Sequence, residues 1–151
     1  MTIIELTTII DAPIQKCFDL ARSIDLHMRS TGKTKEKAIA GRTSGLIEKG
    51  ETVTWEAVHF GIKQQLTTHI PEMKRPLYFS DEMVKGAFKN LYHQHYFESN
   101  DGKTTMTDVF RYETPAGIFG KLFDILVLKS YMTRFLKQRN VVIKSEAERT
   151  G

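Results

Sequence analysis

The stretch from Gly117 to Lys144, GIFGKLFDILVLKSYMTRFLKQRNVVIK, decides the fold. At helical spacing, Phe119, Leu122, Phe123, Leu126 and Ser130 follow one face, and Ile125, Leu128, Met132, Phe135 and Leu136 widen it into a broad apolar side. Lys121, Asp124, Lys137 and Gln138 mark a polar side. A stripe this wide suits a helix gripped by a sheet, since a surface helix is apolar over less of its circumference. The rest of the chain offers such a sheet. The expectation is an α+β protein whose curved antiparallel sheet wraps one long C-terminal helix and leaves room for a small molecule between them.

Working back from that helix, the strand-like runs are Thr2–Ile10, Lys37–Gly41, Thr52–Phe60, Lys63–Ile70, Leu77–Val84, Leu91–Glu98 and Thr104–Thr114. Short turn-forming separators join them: Thr43-Ser44-Gly45, Lys49-Gly50, Gly61, Pro71 through Pro76, Lys85-Gly86 and Asn100-Asp101-Gly102. Connections this short favour antiparallel neighbours. After the first strand, Asp11-Ala12-Pro13 opens a helix over Ile14–Arg22, with Ile14, Cys17, Phe18 and Ala21 on one face. A second short helix spans Asp25–Ser30. The reading is a single domain over 1–145 and a polar tail over 146–151.

With 151 residues, the chain is expected to bury roughly 70% of its unfolded surface. No apolar run reaches the length of a membrane span, so integral membrane association is not expected. The N-terminus lacks the pattern of a signal peptide, and the single Cys17 cannot form an intramolecular disulfide. Both features point to a cytoplasmic protein. The net charge of +4 is spread along the chain. Its densest groups, Lys33 to Lys37 and Arg134 to Arg139, read as solvated surface, so nucleic acid is not expected as a partner.

Several phrases together resemble the SRPBCC superfamily. They are Ala12-Pro13, Trp55-Glu56-Ala57-Val58-His59-Phe60-Gly61, Pro76-Leu77-Tyr78-Phe79-Ser80-Asp81-Glu82, Gly86-Ala87-Phe88, His93-Gln94-His95-Tyr96-Phe97, Thr107-Asp108 and Pro115-Ala116-Gly117-Ile118-Phe119-Gly120. That superfamily takes in START lipid-transfer domains, the birch-pollen-allergen family and aromatic polyketide cyclases; the likeness is nearest to small bacterial members and covers nearly the whole chain. It implies a helix-grip fold: a seven-stranded curved antiparallel sheet, two short helices after strand one, and the long C-terminal helix across the concave face. It also implies a ligand of lipid, sterol, hormone or polyketide type. It brings no reaction with it, because function belongs to the cavity lining rather than to the fold.

Candidate site residues follow from strand parity. His93 and His95 share one strand face, where two imidazoles can flank a polar group, chelate a metal or simply bond to neighbouring strands. Asp108 should lie on the neighbouring strand, and a His–Asp hydrogen bond holding the sheet in register is the preferred account. Trp55 and His59 share a face that suits a flat apolar wall with a polar handle. Tyr92, Tyr96, Phe110 and Tyr112 are further sheet candidates, with Leu122, Leu126 and Met132 from the helix. Asp81 and Glu82 are acids close to strands without an assigned role. Cys17 reads as buried packing, and Gly117 to Gly120 lacks the spacing of a phosphate loop. No metal site and no cofactor are expected. The leading reading is a binder of a hydrophobic or amphipathic small molecule; a cyclase- or dehydratase-type enzyme and an interaction module with a filled cavity are the alternatives.

Overall fold

The computed structural model describes residues 1–149, so Thr150 and Gly151, in the expected polar tail, lie outside the described residues. The strands are β1 (Thr2–Ile10), β2 (Lys37–Gly41), β3 (Thr52–His59), β4 (Ile62–His69), β5 (Met73–Lys74), β6 (Tyr78–Lys85), β7 (Asn90–Asn100) and β8 (Lys103–Glu113). Seven of them form one antiparallel path, β1-β8-β7-β6-β4-β3-β2. The two-residue β5, within a connection the sequence reads as turn, pairs with β6 off that path.

Local chemistry sets the register. Asn100 faces Lys103, so Asp101 and Gly102 alone make the β7–β8 turn, both at positive φ as a type I′ hairpin requires. From that turn β8 alternates strictly, with Thr104, Met106, Asp108, Phe110 and Tyr112 buried on its inner face.

Helices α1 (Ile14–Ala21) and α2 (Ile24–Ser30) follow β1. The α1 helix buries Cys17 and Phe18, and burial raises the pKa of the Cys17 thiol. The Ser23 hydroxyl caps α2 by accepting the Leu26 N–H at 3.1 Å.

The C-terminal helix has three parts: α3 (Gly117–Phe123), a π-helical turn over Asp124–Leu128, and α4 (Lys129–Glu148). The chain enters it sharply, with Ala116 and Gly117 both at positive φ. A side chain at Gly120 would place its Cβ 1.8 Å from the Pro115 carbonyl oxygen, so only glycine fits there. The helix runs past Lys144 to Glu148. Ala147 is buried there, and the Glu148 carboxylate accepts the Asp11 N–H at 2.8 Å.

Two apolar clusters fill the space between sheet and helices. One gathers Phe18, Ile24, Trp55, Phe79, Phe97, Met106, Ile143 and their neighbours at the α1–α2 end. The other joins Ile4, Leu91, Phe110, Tyr112, Leu128 and Leu136 toward α3. Among the described residues, no helix is long and apolar enough to cross a membrane.

Candidate functional site

A cavity of about 510 Å³ lies between the inner face of the sheet and the C-terminal helix. Trp55, Leu66, Phe79, Leu91 and Phe110 line it from the sheet, and Leu128, Tyr131, Met132, Phe135 and Leu136 from the helix. The protein's own side chains therefore do not fill it. Its size and largely apolar wall match those of small-molecule sites.

One patch of that wall is polar. Register sets Asp81 opposite His93 and Phe79 opposite His95 across β6 and β7, then His95 opposite Asp108 across β7 and β8. The hydrogen bonds run on the diagonals: His93 Nε2 to Asp108 Oδ1 at 2.8 Å, and His95 Nε2 to Asp81 Oδ2 at 2.7 Å. From α4, Arg139 Nη1 donates to Asp108 Oδ1 at 3.3 Å and to Asn140 Oδ1 at 3.0 Å. Its Nη2 donates to the Ala21 carbonyl at 3.3 Å and to His95 Nδ1 at 3.4 Å. Asn140 Nδ2 completes the set by donating to Asp108 Oδ2 at 2.8 Å.

These bonds fix charges and tautomers. Burial opposes ionisation of Asp108, but the hydrogen bond from His93 and the Arg139 charge hold its pKa well below the usual carboxylate range. Asp81 is likewise held low: burial opposes its charge, and the His95 hydrogen bond and the Arg139 charge outweigh that. Burial, with the neighbouring His95, depresses the His93 pKa to about 4. His93 is therefore neutral at pH 7. Its Nε2 carries the proton given to Asp108, and its Nδ1 is a bare lone pair.

For His95 the partners decide. A guanidinium only donates, so His95 Nδ1 accepts and Nε2–H points at Asp81. Asp108 Oδ1 is also 3.4 Å from this Nδ1, but outside hydrogen-bonding geometry. Ring packing locks the pair. His93 and His95 stack at 3.8 Å, Phe79 stacks on His95 at 4.1 Å, and Phe110 meets His93 edge-on at 5.1 Å.

Asp81, His93 and His95 bring donor atoms within 4.8 Å of one another, the spacing of a metal cluster. The set fits a resident metal poorly. A metal on His95 Nε2 would move its proton to Nδ1, against the N–H of Arg139.

At the other end of the cavity, His59 Nδ1 and the Tyr131 hydroxyl share a hydrogen bond of 2.6 Å, and burial lowers the His59 pKa. Trp55 packs against His27 at 4.3 Å.

Of the residues the sequence singles out, Trp55, His59, His93, His95, Phe110 and Met132 line the cavity. Tyr92 and Tyr96 do not, because they alternate with the histidines on β7 and stand on the outer sheet face, with Tyr96 41% exposed. Tyr112 has inner parity but lies beneath the start of the helix. Its hydroxyl donates to Asp124, which Thr2 also holds. Asp124, which periodicity assigns to the polar side, is buried there. Leu122 and Leu126, expected to face the ligand, point to solvent at 55% and 70% exposure. The π turn explains the discrepancy, because its i→i+5 step breaks the phase that a continuous α-helix would carry. Asp81, Tyr131, Arg139 and Asn140 complete the polar features, although the sequence reading gives none of them a place in the site. Arg139 and Asn140 have a legible signal: they fall between Leu136 and Ile143 at spacings of three and four, on the buried stripe rather than the polar one.

Neither a known family model nor a curated protein matches the sequence. Solved structures do match in fold. TTHA0849 from Thermus thermophilus superposes with a TM-score of 0.75 at 18% identity, covering 97% of this chain and 100% of that one. The ZhuI aromatase/cyclase from Streptomyces sp. R1128 gives 0.76 at 14% identity, over 98% and 94% of the two chains. The major latex-like protein 151 of Panax ginseng gives 0.70 at 15% identity, over 98% of each. The chain has an SRPBCC-type fold.

Proposed function

We propose that the protein binds a hydrophobic or amphipathic small molecule, of lipid, sterol or polyketide type, between sheet and C-terminal helix. The observation that carries this is the largely apolar cavity of about 510 Å³ with a hydrogen-bonded polar network built into one part of its wall. Burial of apolar ligand surface, at roughly 25 cal/mol per Å², drives binding, and the polar wall orients the ligand. Cytoplasmic residence belongs to the same reading.

A second reading, acid–base catalysis of cyclase or dehydratase type, is favoured by the two His–Asp pairs and by the fold shared with an aromatase/cyclase. It is the weaker of the two. A His93 pKa of about 4 makes a poor base at pH 7, where catalytic groups work best with pKa values near the operating pH.

Mass spectrometry of the natively purified protein and of its organic extract tests the proposal. A stoichiometric bound molecule is the expected result. A protein that emerges empty, and whose melting temperature no lipid, sterol or aromatic compound shifts, would overturn it.

A further inference from the structure

The polar wall carries an asymmetry that narrows the ligand class. His93 commits Nε2 to Asp108, and its Nδ1 has no hydrogen-bond partner among the described residues. Asp81 commits Oδ2 to His95, and its Oδ1 is likewise unpartnered, on a side chain 22% exposed at the cavity. A second lining acid, Glu36, has a side chain only 8% exposed, with its Oε2 3.3 Å from His27 Nε2 and without a hydrogen bond.

The cations of the lining are committed elsewhere. Arg22 is held by Asp19 and Glu48. Arg139 gives four N–H bonds to protein acceptors and is neutralised by Asp108. Two carboxylates, Asp81 and Asp108, thus stand against the single guanidinium of Arg139 in this wall.

From this arrangement we infer that the end of the ligand seated against β6 and β7 carries an O–H or N–H donor and no negative charge: an alcohol, a phenol or an amine, and not a carboxylate or phosphate. The inference rests on the binding proposal above. Its physical basis is the cost of burying a bare acceptor: a ligand that donates to His93 Nδ1 or Asp81 Oδ1 removes that cost. An anion brought against the same wall adds a desolvated like charge that no free guanidinium compensates.

The test is isothermal titration calorimetry at pH 7 with three probes of one size: 2-naphthol, its methyl ether and 2-naphthoate. The naphthol is expected to bind about tenfold more tightly than the ether, the worth of one hydrogen bond to a buried charged or polar acceptor. It should exceed the naphthoate by more than that. Asp81→Asn replaces the carboxylate with an amide that also donates, and is expected to bring naphthol and naphthoate within about threefold of each other. Naphthoate binding as tightly as naphthol to the unaltered protein would overturn the inference while leaving the binding proposal intact. Silence from all three probes, joined to an empty protein in the mass spectrum, would overturn both.

Discussion

The two halves of the C-terminal helix meet different surroundings. Toward its end, Ile143 and Ala147 are each 2% exposed, packed with Phe18 and Met106, and Arg139 and Asn140 are sealed into the polar wall. Toward its start, Ile118 and Phe119 are each 77% exposed, and Ile125 is 76% exposed. The start is the richer of the two in apolar residues, yet it is the end that is buried. Apolar content alone therefore does not fix burial; the number of elements facing the helix does. The α1 and α2 helices close the far end, while the near end is tied to the sheet chiefly by Asp124, which Tyr112 and Thr2 hold.

The sharpest break in this comparison comes from the closed half. Phe18→Ala should cost about 3–5 kcal/mol of stability, measured by urea denaturation, because it opens a void in the fully buried cluster. Asp108→Ala should cost a comparable amount by stranding the Arg139 charge in the interior. A loss below about 1 kcal/mol for either would place the stable core elsewhere.

Next in size is the response to acid. The folded His93 pKa of about 4 lies below its ordinary 6.5, so the unfolded chain takes up that proton first. Stability should fall as pH drops from about 6.5 toward 4, by roughly 3 kcal/mol, and be fully present above that window. The depressed pKa values of Asp81 and Asp108 have the same sign and act lower, their contribution being lost as pH falls below the ordinary carboxylate range. Denaturation curves at about pH 7, 5.5 and 4.5 measure the slope, and His93→Gln should flatten its upper part. An unchanged midpoint across the window would refute the charge assignment.

Smaller effects belong to the open half. Tyr112→Phe removes one of the two hydroxyls holding Asp124 and should cost about 1 kcal/mol. Ile125→Ser should change stability by less than about 0.5 kcal/mol, since the side chain already faces water. If Ile125→Ser proves as costly as a core substitution, the two halves do not differ.

Much of this is legible in the sequence. Strand alternation and the Asn100-Asp101-Gly102 turn place seven strands, and the spacing of His93, His95 and Asp108 anticipates their shared network. What stays hidden involves phase and depth. Period two says that Tyr92 and His93 face opposite ways without saying which way is inward, so both stand as candidates until the sheet is seen. A pattern of 3.6 cannot register a π turn, so it assigns Leu122 and Leu126 to a face they do not share with Met132. Arg139 is obscured by its charge: a cation on a helix reads as surface until a buried carboxylate such as Asp108 supplies its counterpart.

Trp55 is the chain's only tryptophan, nearly buried in the cavity wall and packed on His27. All indole emission therefore originates in the chamber that a ligand would enter, and none from a distant surface to dilute it. Filling of the chamber should change intensity with little change in colour, whereas loss of the fold should carry the spectrum toward that of indole in water. The protein thus contains an optical gauge that separates occupancy from unfolding without any added label.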